Sequence, residues 1–109
     1  MKRIWALLIA CALLLCGCQR DMTFSPEKWR EDPDNRVRMV DDLLDRYDPV
    51  GMTENEVHVL LGKPSDTSYF KRENRLVYYM GFEKYNIDAS WLLIDFENGV
   101  VSEYFVTTD

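Results

Sequence analysis

The chain has 109 residues, with 13 Lys and Arg against 19 Asp and Glu and a formal net charge of −6. That length suits one domain with one modest core, and the acidic balance argues against DNA, RNA or anionic headgroups as partners. Three cysteines and a single histidine leave few residues for metal or thiol chemistry.

Lys2 and Arg3 precede an apolar run of 12 residues, 4–15. As a helix that run reaches about 18 Å, short of a hydrocarbon core of about 30 Å. Its length and flanks fit the apolar region of an export signal rather than a permanent span. Leu15-Cys16-Gly17-Cys18 looks like a lipobox, with residues 1–17 removed and Cys18 lipidated. Stable anchoring takes more than one acyl chain, and lipoproteins of this type, usually palmitate-bearing, carry several. Gln19, rather than Asp, follows the anchor. In a Gram-negative cell that resembles the rule for an outer-membrane lipoprotein facing the periplasm; in a Gram-positive cell the chain stays on the outer face of the plasma membrane. All three cysteines lie at or before position 18, so the exported domain has no disulfide and no free thiol for a nucleophile or metal. Without Lys2 and Arg3, 11 basic residues face 19 acidic ones, a formal charge of −8.

Residues 18–24 read as a lipidated tether and 25–109 as a single small domain. Ser25-Pro26-Glu27 supplies an N-cap, a proline in the first turn and an acidic start for a short helix carrying Trp29. Asp32-Pro33-Asp34 starts a longer helix in which Val37, Val40, Leu43 or Leu44, and Tyr47 recur on one face; Asp48-Pro49 stops it. Thr53 and Glu56 have capping-box spacing. The short helix they open presents Val57, Leu60 and Leu61, then ends at Gly62 with Pro64 just beyond.

Beyond Pro64 the pattern is strand-like. Residues 67–71 and 76–80 read as strands joined by a polar turn, and 91–97 and 100–107 as a hairpin across Asn98-Gly99. Counting back from a two-residue turn pairs Ile94 with Glu103 and Leu92 with Phe105. Leu92, Ile94, Phe96, Val101 and Phe105 then share the core face, with Glu103 inconsistent among them unless a strand-end position or a bulge relieves it. Trp91, Leu93, Tyr104 and Val106 take the other face, with Asp95 and Ser102 among them. The expected class is α+β: N-terminal helices packed on one face of an antiparallel meander of about four strands.

Gly51-Met52-Thr53, then Glu56-Val57 and Leu60-Leu61-Gly62-Lys63-Pro64, is similar to the signature of the SmpA/OmlA (BamE-like) lipoprotein domain family. Leu92-x-Ile94-x-Phe96-x-Asn98-Gly99-x-Val101 resembles its closing hairpin, so the resemblance spans about residues 50–106. These motifs are largely structural: a capped helix, a glycine stop and a turn. The resemblance implies helices on an antiparallel sheet, also seen in β-lactamase-inhibitor-protein-like domains, a lipid anchor, and work alongside outer-membrane protein assembly. The departure lies upstream, where residues 29–47 are helical and family members of the assembly machinery carry an extended partner-contacting segment. Fold and anchor are therefore implied, but the machinery contacts are not. Ile87-Asp88-x-x-Trp91-Leu92 and the Trp29 segment resemble the uncharacterised lipoproteins of the family more closely.

No catalytic set stands out. His58 sits one residue past a core position, facing solvent, and no second imidazole makes a metal pair. Asp41, Asp42, Asp45 and Asp48 lack the alternate-ligand pattern and central glycine of a calcium loop and read as a solvated face. No catalytic residue, metal or cofactor is expected. Tyr69, Tyr78, Tyr79, Tyr85, Trp91 and Tyr104 are many rings for so small a domain. They either pad the sheet or form an interface, for which Tyr and Trp are favoured. The expected activity is that of a non-enzymatic, membrane-anchored binding or scaffold module whose partner is another envelope protein, touched by Trp91, Leu93, Tyr104 and Tyr78. Alternatives are an enzyme or metal-dependent hydrolase acting on envelope polymers, and an enzyme-inhibitor-like module.

Overall fold

In the computed structural model, which describes residues 21–65, 69–82 and 88–108, the helix starts read at Ser25 and Thr53 carry side-chain caps and the one at Asp32 does not. The export segment 1–17 and the lipidation site Cys18 lie outside the described residues, as do Tyr85 and Ile87. Helix α1 (Pro26–Glu31) is capped by the Ser25 hydroxyl, which accepts from the Lys28 N–H. A 3-10 turn (Pro33–Asn35) takes up the second start signal, and helix α2 (Arg36–Tyr47) follows it. Helix α3 (Glu54–Leu61) has both halves of its capping box: Glu56 N–H donates to Thr53 Oγ1, and Thr53 N–H to Glu56 Oε1.

Gly62 ends α3 with φ +77° and ψ −157°, a conformation open essentially to glycine alone. Its carbonyl accepts from the buried Tyr78 hydroxyl at 2.9 Å, so the helix stop is bolted to the sheet.

Strands β1 (Arg75–Phe82), β2 (Ala89–Glu97) and β3 (Val100–Thr108) form an antiparallel meander in that order. The core lies between this sheet and the helices: Trp29, Met39, Val40, Leu43, Val57 and Leu61 meet Tyr78, Met80, Leu92, Ile94 and Val101. The class is α+β. Three strands are described rather than about four. In the segment expected to be the first strand, Tyr69, Phe70 and Lys71 are not in strand conformation, and the residues just before them lie outside the described set.

Two features correct the sequence reading. The chain enters the core before Ser25: Phe24 is buried, its N–H donates to Asp42 Oδ2 at 2.7 Å, and its carbonyl accepts from Arg46 at 2.6 Å. Met22 N–H bonds the Arg38 carbonyl. Met22 and Phe24 therefore belong to the domain, because α2 takes up the Met22 N–H and both backbone groups of Phe24. The second correction concerns the hairpin. Asn98 and Gly99 turn as expected, both at positive φ, and Phe96 faces Val101, but the register then shifts at Ser102. Asp95 now faces Glu103, Ile94 faces Tyr104 and Leu92 faces Val106. The extra residue turns Glu103 and Phe105 out of the core face and brings half-buried Tyr104 into it.

Both sheet edges are partly closed. On β1, Ser65 N–H donates to the Val77 carbonyl, Ser65 Oγ accepts from Tyr79 N–H, and Arg36 donates to the Tyr79 carbonyl. The 3-10 turn presses on Gly81 (φ +95°), where a Cβ would lie 2.2 Å from the Asp34 carbonyl oxygen. On β3, Gly51 N–H donates to the Val101 carbonyl and Val101 N–H to the Met52 carbonyl. The Gly51-Met52-Thr53 motif is thus a short strand-like cover as well as a helix cap.

Candidate functional site

The sheet face turned away from the helices is built in cross-strand rows. Arg75, Asp95 and Glu103 form one row; Val77, Leu93 and Phe105 the next; Tyr79, Trp91 and Thr107 the third. Side chains alternate along each strand, so these residues share one side by register. The rows grade from charged to apolar to aromatic.

The aromatic end is a chain of rings. Tyr69 meets Phe70 edge-on at 4.6 Å, Phe70 meets Trp91 at 5.8 Å, Trp91 meets Tyr79 at 5.4 Å, and Tyr79 meets Phe82 at 6.4 Å. Edge-to-face contacts of this kind add about 0.5–1.5 kcal/mol beyond area burial. The middle of the chain is half-buried, while its two ends stand in solvent: Tyr69 is 77% and Phe82 56% exposed. Phe105 adds 40% exposure beside buried Leu93. Phe70 reaches Trp91 because residues 69 and 70 fold across the sheet instead of extending its edge.

The charged end holds that segment in place. Asp95, its side chain 8% exposed, accepts from Arg75 at 2.6 and 3.0 Å and from Arg72 at 2.9 Å. Arg75 also donates to the Phe70 carbonyl. The Arg75 hydrogen bonds hold the Asp95 carboxyl below its ordinary range, against the opposing effect of burial, and the same bonds raise the Arg75 guanidinium. Tyr79 lies at the turn side, where burial and then the nearby Asp34 charge push its phenol up.

Of the four side chains read as partner contacts, the structure separates two pairs. Trp91 and Leu93 lie on this outer face. Tyr78 and Tyr104 do not: Tyr78 is wholly buried among the helices, and Tyr104 packs against the same core. Tyr78 sits one residue off the outward alternation of β1, and Tyr104 is turned inward by the bulge. Sequence reasoning placed Asp95 on this face but missed Phe70, Phe82 and Arg75 as members of it. A lone carboxylate flanked by Ile94 and Phe96 was a signal for a cationic partner, but not for which arginine.

The remaining candidates are dispersed. His58 is exposed, 3.8 Å from Glu54. Asp21, Asp41, Asp42 and Asp45 edge a shallow depression of about 480 Å³. Asp42 there is engaged by Phe24 N–H and Arg46, which hold its carboxyl below the ordinary range. Among the described residues no three metal-ligating side chains converge, and no helix is long and apolar enough to cross a membrane. Compared with protein-family models, curated proteins and solved structures, the chain matches none.

Proposed function

We propose that this chain is a lipid-anchored binding module of the cell envelope, held by Cys18 and engaging another envelope protein through the outer face of its sheet. The observation that carries the reading is the ring chain from Tyr69 to Phe82, half-buried at its centre and exposed at both ends. A rigid, partly desolvated aromatic centre with accessible rims is the arrangement in which interface energy concentrates. The order of three helices followed by three strands, and the pairing of Gly51 and Met52 with β3, support assigning it to the SmpA/OmlA (BamE-like) lipoproteins, with a role accessory to outer-membrane protein assembly.

The anchor bears on orientation. Cys18 and the first clasped residue, Met22, are separated by three residues, 19–21, a reach of at most about 14 Å. A lipidated Cys18 therefore keeps the α2 flank beside the bilayer. The sheet's outer face lies on the other side of the molecule from the helices and is left for a partner.

A photo-crosslinking side chain placed at Tyr69 or Phe82 is expected to capture one discrete envelope protein, whereas the same group at Val59 on α3, 67% exposed, does not. Equal capture from Val59, or none from the sheet positions, refutes the surface. Separately, Cys18→Ser is expected to move the chain out of the membrane fraction; retention there refutes the anchor.

A further inference from the structure

The outer edge of β3 differs from every other border of the sheet. Its first residues are paired by Gly51 and Met52, and the β1 edge is occupied by Ser65 and Arg36. Among the described residues no backbone partner is recorded for that edge beyond Val101. The stretch Glu103-Tyr104-Phe105-Val106-Thr107-Thr108 is strand-favouring and has no proline or lysine, the usual devices that blunt an edge. Phe105 and Val106 are 40% and 49% exposed, one on each face of it.

We infer that this edge pairs with the same edge of a second copy, antiparallel and centred on Phe105, giving a continuous six-stranded sheet. The side chains are self-complementary in that register. Glu103 falls opposite Thr107 of the second copy, Tyr104 opposite Val106, and Phe105 opposite its own equivalent. No like charges face each other, and aromatic–aromatic and aromatic–β-branched pairs are the favourable cross-strand kinds. The register also keeps faces matched. The Val77–Leu93–Phe105 row runs on unbroken into Phe105, Leu93 and Val77 of the second copy, and Tyr104 covers the exposed Val106.

Antiparallel pairing of two identical edges places the two-fold axis perpendicular to the sheet, an isologous contact that closes at two copies. Both helical layers then lie on one side. Both Met22 residues, clasped to α2, emerge on that side, so two anchors can enter one bilayer. This last point rests on the lipid anchor proposed above; the strand pairing does not.

The test is Phe105→Cys in the full chain, expressed in cells and run on a non-reducing gel after mild oxidation. Its thiol lies opposite its own equivalent, within disulfide reach across a strand pair. A disulfide-linked band at twice the chain mass is expected, and Val59→Cys is expected to give none. Purified wild-type chain should sediment as a dimer, more tightly as salt screens the acidic surface. Phe105→Lys should weaken the dimer by about tenfold or more while leaving the circular dichroism unchanged, since it sets like charges face to face. A monomeric wild type, a dimer that Phe105→Lys leaves intact, or Phe105→Cys linked only to a protein of different mass each overturns the inference. Loss of membrane association on Cys18→Ser without loss of the disulfide band separates the anchor from the strand pairing.

Discussion

Replacing Asp95 by Asn tests whether the charged end of the outer face organises its aromatic end. In the folded chain Asp95 accepts three hydrogen bonds from Arg75 and Arg72 at 2.6–3.0 Å. Asn offers one acceptor oxygen and turns an amide N–H₂ toward guanidinium donors. Removing one member of a well-buried ion pair costs about 3–5 kcal/mol. Arg72 is 61% exposed and water replaces its share, whereas Arg75 is 12% exposed and stays largely desolvated. The discounted loss is about 2–3 kcal/mol, or a fall in Tm of roughly 10–20 °C for a domain of this size. The assay is thermal and urea unfolding followed by tryptophan emission, because the Arg75–Phe70 bond seats Phe70 against Trp91. The pH dependence has a fixed sign. The Asp95 carboxyl is depressed in the folded state, so its contribution is fully present above the ordinary aspartate value and is lost as the pH falls from there through the folded value. Wild type should lose stability on acidification below about pH 4, and Asp95→Asn should show a shallower loss. A variant within about 0.5 kcal/mol of wild type, with the same acid slope and Trp91 emission, refutes the account.

Gly81→Ala forces a methyl to within 2.2 Å of the Asp34 carbonyl oxygen at a residue with φ +95°. Clash and backbone strain together should destabilise by about 3 kcal/mol or more, read as a lowered urea midpoint; an unchanged midpoint would show that the 3-10 turn does not press on β1. Deleting Ser102 removes the bulge yet keeps every cross-strand partner on both sides of it, so the hairpin should keep its faces and its stability within about 1 kcal/mol. Loss of folding in that variant would mean the bulge itself, not the face assignment, is required.

The helices were legible because their signals are local. Ser25, Thr53 with Glu56, and Gly62 act within one turn, so residue type and spacing suffice to place them. The sheet's inner face was partly legible, since Leu92, Ile94 and Phe96 repeat every second residue and do face the helices. Contacts distant in sequence were not. Arg36 is buried, donates to the Trp29 and Tyr79 carbonyls and lies over the Trp29 ring, although it opens a helix where an arginine ordinarily signals solvent. Burial lowers its guanidinium from the ordinary value. Nothing in a window of neighbours distinguishes such an arginine from Arg38, which is exposed two residues later. Phe24 was hidden for a similar reason: its place depends on Asp42 and Arg46, some twenty residues away.

The candidate site was harder to read because it turns on one residue. Alternation assigns faces only while the register holds, and a single inserted residue exchanges the two faces for everything beyond it. Left unbulged, the returning strand would bury the Glu103 carboxylate against Ile94 and expose Tyr104. Burying an unpaired carboxylate costs several kcal/mol, whereas a bulge costs one unpaired position on an exposed strand. The bulge at Ser102 is therefore the lower-energy way to fold this sequence, and it moves Phe105 from the core face into the row of Leu93. The same displacement removes Tyr104 from the outer surface and supplies the exposed phenylalanine at the free edge. Both the composition of the outer sheet face and the side chains carried by the β3 edge follow from avoiding one buried charge.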